Sequence, residues 1–167
     1  ALTSRSQKLT TQILDRNGNL LFAVAGEKKR IIIDKDKIPK TMKDATVAIE
    51  DKDFYKHFGV DFRGVARAAA YNLLNRRITQ GGSTITQQYV KNALLSPKRS
   101  FTRKIKEIIL SLEIEALYSK EDILALYLNE IPYGSNAYGI QAAAQTFFGK
   151  DAKDLTLAES ATLAALP

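Results

Sequence analysis

The sequence predicts a mainly α-helical domain with a small β segment at its N-terminus. Three observations carry that prediction. Asn17-Gly18 lies between Ile13-Leu14 and Leu20-Leu21, a strong hairpin signal. From Pro39 onward, apolar residues recur at helical spacing rather than in alternation. Thr84-x-x-Gln87 and Thr156-x-x-Glu159 are capping boxes, each opening a helix. A chain of 167 residues can bury a core of its own, which suits a β segment over 1–38 and a helical domain over 39–167.

Residues 10–35 read as β structure, with Arg30-Ile31-Ile32-Ile33-Asp34 as a third strand after the hairpin. Pro39 opens a helix that carries Met42, Ala45, Val47 and Ile49 and ends near Asp51. A second helix spans Phe62 to Asn75, with Val65, Ala69 and Leu73 on one face, and a third runs from about Thr84 to Ala93. Ser100 to Tyr118 is the longest helical segment. Ile105, Ile108, Ile109, Leu112 and Ala116 form one apolar stripe along it, and Leu110, Ile114 and Leu117 form another on the opposite side. A helix apolar on two faces is expected in the middle of a domain. Arg103 and Glu107 share the second stripe, so Glu107 is expected to face a space between packed elements. Ser119 caps a helix that ends near Asn129, with Glu121 and Asp122 in its first turn. Asn136 to Phe148 reads as an Ala-rich helix stopped by Gly149, and the second capping box opens the last one.

Lys and Arg number 25 against 18 Asp and Glu, a formal charge of +7 that favours an anionic partner: nucleic acid, an acidic membrane surface or a phosphorylated substrate. There are no cysteines, which excludes disulfides and thiolate metal sites; the single histidine, His57, excludes a multi-histidine site within the chain. No apolar run reaches the roughly 20 residues of a membrane-spanning helix, and no signal peptide opens the sequence. The abrupt ends fit a piece of a longer protein from which an anchor or further domain has been removed.

Three segments concentrate chemistry. Gln80-Gly81-Gly82-Ser83-Thr84-Ile85-Thr86-Gln87-Gln88 runs a glycine turn into a helix start, which is either an ordinary capped loop or a cradle of N–H groups for a phosphate. Glu50-Asp51 lies where a helix gives way to a turn. It is either a charged helix end or, with Glu50 at the edge of apolar packing beside Ile49, a carboxylate suited to acid–base work. His57, nearby, reads first as a structural histidine. Arg103-Lys104-x-x-Glu107 gives either weak surface ion pairs or a cationic phosphate site with a carboxylate held inside it. The S-x-x-K acyl-serine pattern and the nucleotide P-loop are both absent.

Taken in order, these segments resemble the glycosyltransferase domain of bacterial class A penicillin-binding proteins, the family-51 peptidoglycan glycosyltransferases. Glu50-Asp51 with Phe54, His57 and Gly59 fits E-D-x-x-F-x-x-H-x-G. Gly82 to Gln88, followed by Lys91-Asn92, fits G-x-S-T-I-T-Q-Q, and Arg103-Lys104 with Glu107 fits R-K-x-x-E. Lys120, Ile123-Leu124 and Tyr127-Leu128-Asn129 fit a fourth motif, and Ala142 to Ala165 a fifth. The match spans roughly Lys40 to Pro167. It departs locally at Ile131 to Asn136, where many relatives carry an aromatic run, and it is weaker over the N-terminal segment.

The resemblance implies a lysozyme-like helical fold of two lobes. It implies that lipid II is polymerised into β-1,4-linked glycan, with inversion and release of undecaprenyl pyrophosphate. Glu50 would be the base. Ser83, Thr84, Gln88, Lys91, Arg103 and Lys104 would hold the pyrophosphate. Glu107 would act on the leaving-group side, orienting the cations or helping to hold a pyrophosphate-bound Mg or Mn ion. Asp51, His57, Gln87 and Asn129 would support the site. No organic cofactor is implied.

The implied location is the outer face of the bacterial cytoplasmic membrane, with lipid II, the growing lipid-linked chain, the membrane surface, a transpeptidase domain and other cell-wall synthesis proteins as partners. Phe54, Tyr55, Phe58 and Phe62 are either core or membrane-facing. The alternatives are a lytic transglycosylase or muramidase, which needs no basic pyrophosphate site, and a nucleic-acid-binding module. The second conflicts with basic residues scattered among carboxylates and glycine turns.

Overall fold

A computed structural model of the chain describes residues 11–18, 20–24, 29–75, 82–98 and 100–167. It is mainly α, as predicted. The hairpin is present: β1 (Thr11–Leu14) pairs antiparallel with β2 (Leu20–Val24), and Gly18 takes the positive φ that the turn requires. The predicted third strand is shorter and lies elsewhere. Only β3 (Lys29–Arg30) is a strand, and it pairs parallel with β4 (Ala137–Tyr138) instead of extending the hairpin. In place of a ladder, Ile33 bonds to a side chain: Asn129 accepts from the Ile33 N–H at 3.1 Å and donates to its carbonyl at 3.0 Å. Arg30 and Glu130 form a buried ion pair at 2.6 Å that fastens this segment to the helices.

Among the described residues seven α-helices follow: α1 (Lys40–Glu50), α2 (Phe62–Leu74), α3 (Ile85–Ala93), α4 (Phe101–Leu117), α5 (Lys120–Glu130), α6 (Ile140–Phe148) and α7 (Leu157–Ala164). Pro39, Thr84, Ser100, Ser119 and Thr156 stand at N-caps, and both predicted capping boxes close with reciprocal bonds. α6 starts four residues later than predicted. Ser135 and Asn136 take positive φ in a turn, and Gly139 becomes the cap; a Cβ on Gly139 would lie 2.6 Å from the Asn129 carbonyl oxygen.

The central helix is α5, not α4. Ile123, Leu124, Ala125, Tyr127 and Leu128 are all buried, a run too wide for one stripe. α5 packs on α3, which supplies Ile85, Tyr89 and Val90, while α1 packs on α7 through the region of Met42 and Leu163. Each such side chain contributes roughly 1.5–3 kcal/mol by leaving water. α4 meets its expected placement only in part. Ile105, Ile109 and Leu112 of its longer apolar stripe are exposed, and Leu117 of the other is 76% exposed, whereas Glu107, Ser111, Ile114 and Glu115 face inward. Ile49 is likewise exposed on α1, as is Val65 on α2; the side chains of Ala69 and Leu73 lie outside the described residues.

Candidate active site

The site is assembled around the short strip from Ser83 to Gln88. Gln80 and Gly81, which begin the glycine turn in the sequence, lie outside the described residues. Gly82 passes close to α2, where a Cβ would lie 3.2 Å from the Val65 side chain. Thr84 then caps α3. Its hydroxyl accepts from the Gln87 N–H at 3.2 Å and donates to the Gly59 carbonyl at 2.7 Å, and Gln87 returns the bond to the Thr84 N–H at 3.0 Å. Thr84 and Gln87 are both buried.

The start of α3 is therefore not the open anion cradle that its sequence permits. The N–H groups of Thr84, Ile85 and Gln87 are already engaged, and the anion at its positive end belongs to the protein. Asp51 accepts from the Ile85 N–H at 3.1 Å. The same carboxylate takes His57 Nε2 at 2.9 and 3.0 Å, with both side chains almost wholly buried. Asp51 and His57 thus tie the end of α1 and its following turn to α3. Gly59 completes the tie at φ +73, since a Cβ there would stand 3.0 Å from the Ser111 carbonyl oxygen of α4. Phe54, packed edge-on to Tyr55 and fully buried, is core, whereas Tyr55, Phe58 and Phe62 are exposed.

Beside this scaffold, Glu50 is half-buried at the end of α1, and its Oε2 accepts from Gln88 Nε2 at 2.6 Å. Ile49 points to solvent, so the apolar neighbour expected from the sequence is not what surrounds Glu50. At the other end of the strip, Lys104 Nζ donates to Ser83 Oγ at 3.3 Å and to Glu107 Oε1. Glu107 is 2% exposed, as expected of a carboxylate between packed elements. Arg103 does not join Lys104 on Glu107; it reaches back to the Pro97 carbonyl at 3.2 Å. Lys91 is exposed farther along α3, and Asn129 clasps Ile33, away from the strip.

A cleft of about 410 Å³ opens here, lined by Glu50, Ser83 and Thr84 and by Asp61, Gly64 and Arg67 from the start of α2. Sequence reasoning missed Arg67, which lies with Arg63 in a helix without a motif of its own. It also missed the support behind the strip. Glu115 is buried, accepts from Thr86 Oγ1 at 2.6 Å and from Lys120 at 2.8 Å, and Lys120 stands 4.5 Å above the Phe54 ring. The signal that could have found Glu115 is its spacing of eight from Glu107, which places both on one face of α4.

Among the described residues, no group of three or more carboxylate or histidine side chains is placed to hold a metal ion, and no helix is long and apolar enough to cross a membrane. Glu107 offers one carboxylate with one oxygen already on Lys104. That matches the sparse protein ligation Mg accepts when substrate phosphates complete its shell.

The sequence profile of the Transglycosylase family matches residues 17–167. Penicillin-binding protein 1A of Neisseria flavescens is 50% identical over 160 residues, covering 96% of this chain and 20% of that protein. Penicillin-binding protein 1A of Aquifex aeolicus is 46% identical over 99% of this chain and 23% of its own length, and that of Escherichia coli is 49% identical over 96% and 19%. The crystal structure of penicillin-binding protein 1A from Haemophilus influenzae aligns with 98% of this chain and 14% of its own, at 26% identity and a TM-score of 0.46. The chain thus spans about a fifth of the length of the curated relatives it matches. By its profile and these identities, the chain belongs to the transglycosylase family.

Proposed function

We propose that this chain is a peptidoglycan glycosyltransferase that polymerises lipid II. One observation carries the reading. The strip from Ser83 to Gln88 holds a carboxylate, Glu50, at one end and a cation, Lys104, at the other. An inverting displacement at a sugar needs a base on one face and leaving-group stabilisation on the opposite face. The lytic alternative needs a protonated carboxylic acid and no cation beside the strip, so the Lys104–Ser83 contact disfavours it.

The growing lipid-linked chain is the donor and lipid II the acceptor. The acceptor's N-acetylglucosamine 4-hydroxyl attacks the donor's anomeric carbon. A new C1–O4 bond forms as the C1–oxygen bond to the pyrophosphate breaks. The O4 proton passes to Glu50, and the electron pair leaves with undecaprenyl pyrophosphate. Ser83 Oγ and Lys104 Nζ meet the charge that gathers on that leaving group, with Arg67 able to add to it from the cleft wall. Glu107, buried behind Lys104, aims the ammonium. A Mg or Mn ion bound there would neutralise part of the pyrophosphate charge, with Glu107 as its protein ligand.

The exposed apolar face of α4, with Phe101 94% exposed and Ile105 59% exposed, supplies a surface for the membrane that carries such a substrate. On this reading the reaction runs on the outer face of the cytoplasmic membrane, beside the transpeptidase and other partners of a longer protein. The test is incubation with lipid II, reading glycan polymer and released undecaprenyl pyrophosphate. The wild-type chain is expected to produce both. Lys104→Ala is expected to lose about 10²–10³-fold in rate, as when one transition-state donor is removed. Cleavage of preformed glycan with no polymer from lipid II would overturn the reading.

A further inference from the structure

The partner of Glu50 is itself held. Gln88 donates from Nε2 to Glu50 and accepts at Oε1 from the Tyr127 hydroxyl at 3.4 Å. A primary amide can sit in either of two flips, one presenting N–H and the other presenting carbonyl oxygen to the carboxylate. Only the first is attractive. Glu50 favours it from one side, and on the far side of the amide Tyr127, fully buried at the centre of α5, holds it by donating to Oε1. Burial, and then the Glu50 charge, push its phenol well above the usual tyrosine value, so the hydroxyl keeps a proton to donate, and it is aimed at Oε1. A donor there faces Oε1 and leaves Nε2 for Glu50. Tyr133 is buried as well, with its hydroxyl unbonded among the described residues.

We propose that Tyr127 is a positioning residue for glycosyl transfer, fixing the flip of the Gln88 amide so that its N–H holds Glu50 in register with the cleft. On this account Gln88 serves the base, whereas the sequence reading gave it to the pyrophosphate. The inference rests on Glu50 as base. It extends that reading to a buried residue that does not line the cleft.

A double-mutant cycle tests it, using kcat and KM for lipid II with wild type, Tyr127→Phe, Gln88→Ala and the double variant. Loss of one neutral hydrogen bond predicts that Tyr127→Phe lowers kcat about five- to tenfold, with KM within about twofold. Gln88→Ala is expected to lose more, and the double variant no more than Gln88→Ala alone. Multiplying effects, a change confined to KM, or an inert Tyr127→Phe would each overturn the proposal. Side-chain amide NMR of Gln88 gives an answer independent of turnover. One set of NH₂ signals is expected in the wild type and two, or exchange-broadened ones, in Tyr127→Phe; a single unchanged set contradicts the proposal. If Glu50→Gln polymerises at the wild-type rate, the base assignment fails, while the amide signals still report on the flip.

Discussion

α3 and α4 lie against each other, and they bury opposite kinds of residue. Six of the nine residues of α3 are buried, Ile85, Tyr89 and Val90 among them, and its N-terminus is closed by the protein's own groups. Of the seventeen residues of α4, only Glu107, Ser111, Ile114 and Glu115 are buried, while Phe101, Ile105, Ile109 and Leu112 stand in the open. Helical periodicity marks the faces of a helix but does not say which of them turns inward. The inward face of α4 is polar because it backs a site. Glu107 steers Lys104 toward Ser83, and Glu115 anchors Thr86 and Lys120.

Identical substitutions on the two helices break or sharpen this comparison. The largest expected effect on stability is Ile85→Ala, which empties a fully buried position on α3 and costs about 2–5 kcal/mol in chemical denaturation. Glu115→Ala is next, at about 1–3 kcal/mol, because it strips the buried Thr86 hydroxyl of its partner and leaves Lys120 with one fewer. Thr84→Ala removes the α3 cap and the bond to Gly59, an expected loss of about 1 kcal/mol, with a matching fall in hydrogen-exchange protection over the first turn. Ile105→Ala on α4 should shift stability by less than about 0.5 kcal/mol, since its side chain is already in water. Ile105→Ser with Phe101→Ser should instead weaken binding to anionic vesicles. Undiminished binding would remove the membrane role from that face, and a large loss of stability would show that it is packed.

What the sequence revealed follows the same division. Caps, turns and helix spans were legible because they depend on neighbours three or four residues away: Thr84 with Gln87, Thr156 with Glu159, Asn17 with Gly18. The mainly α fold followed from them. Choices made over long distances were not legible. Ile31 to Asp34 look like a strand, but Ile33 bonds to Asn129, about a hundred positions later, so no local pattern could show it. The Ser83–Gln88 strip could be read as a site, but its partition could not. Asp51 occupies the helix end that the sequence offered to phosphate, and only the packing of the α1 turn on α3 puts it there. Arg103 and Lys104 are adjacent in sequence and so point in different directions on a helix, which is why only Lys104 reaches the strip.

Glu50 at one end of that strip, opposite Lys104, is the central claim. The most direct test is polymerisation of lipid II by Glu50→Gln, which leaves the shape of the side chain and removes the base. The account predicts a well-folded variant that still binds lipid II and forms polymer about 10²–10⁴-fold more slowly. Polymer formed at the wild-type rate would contradict it.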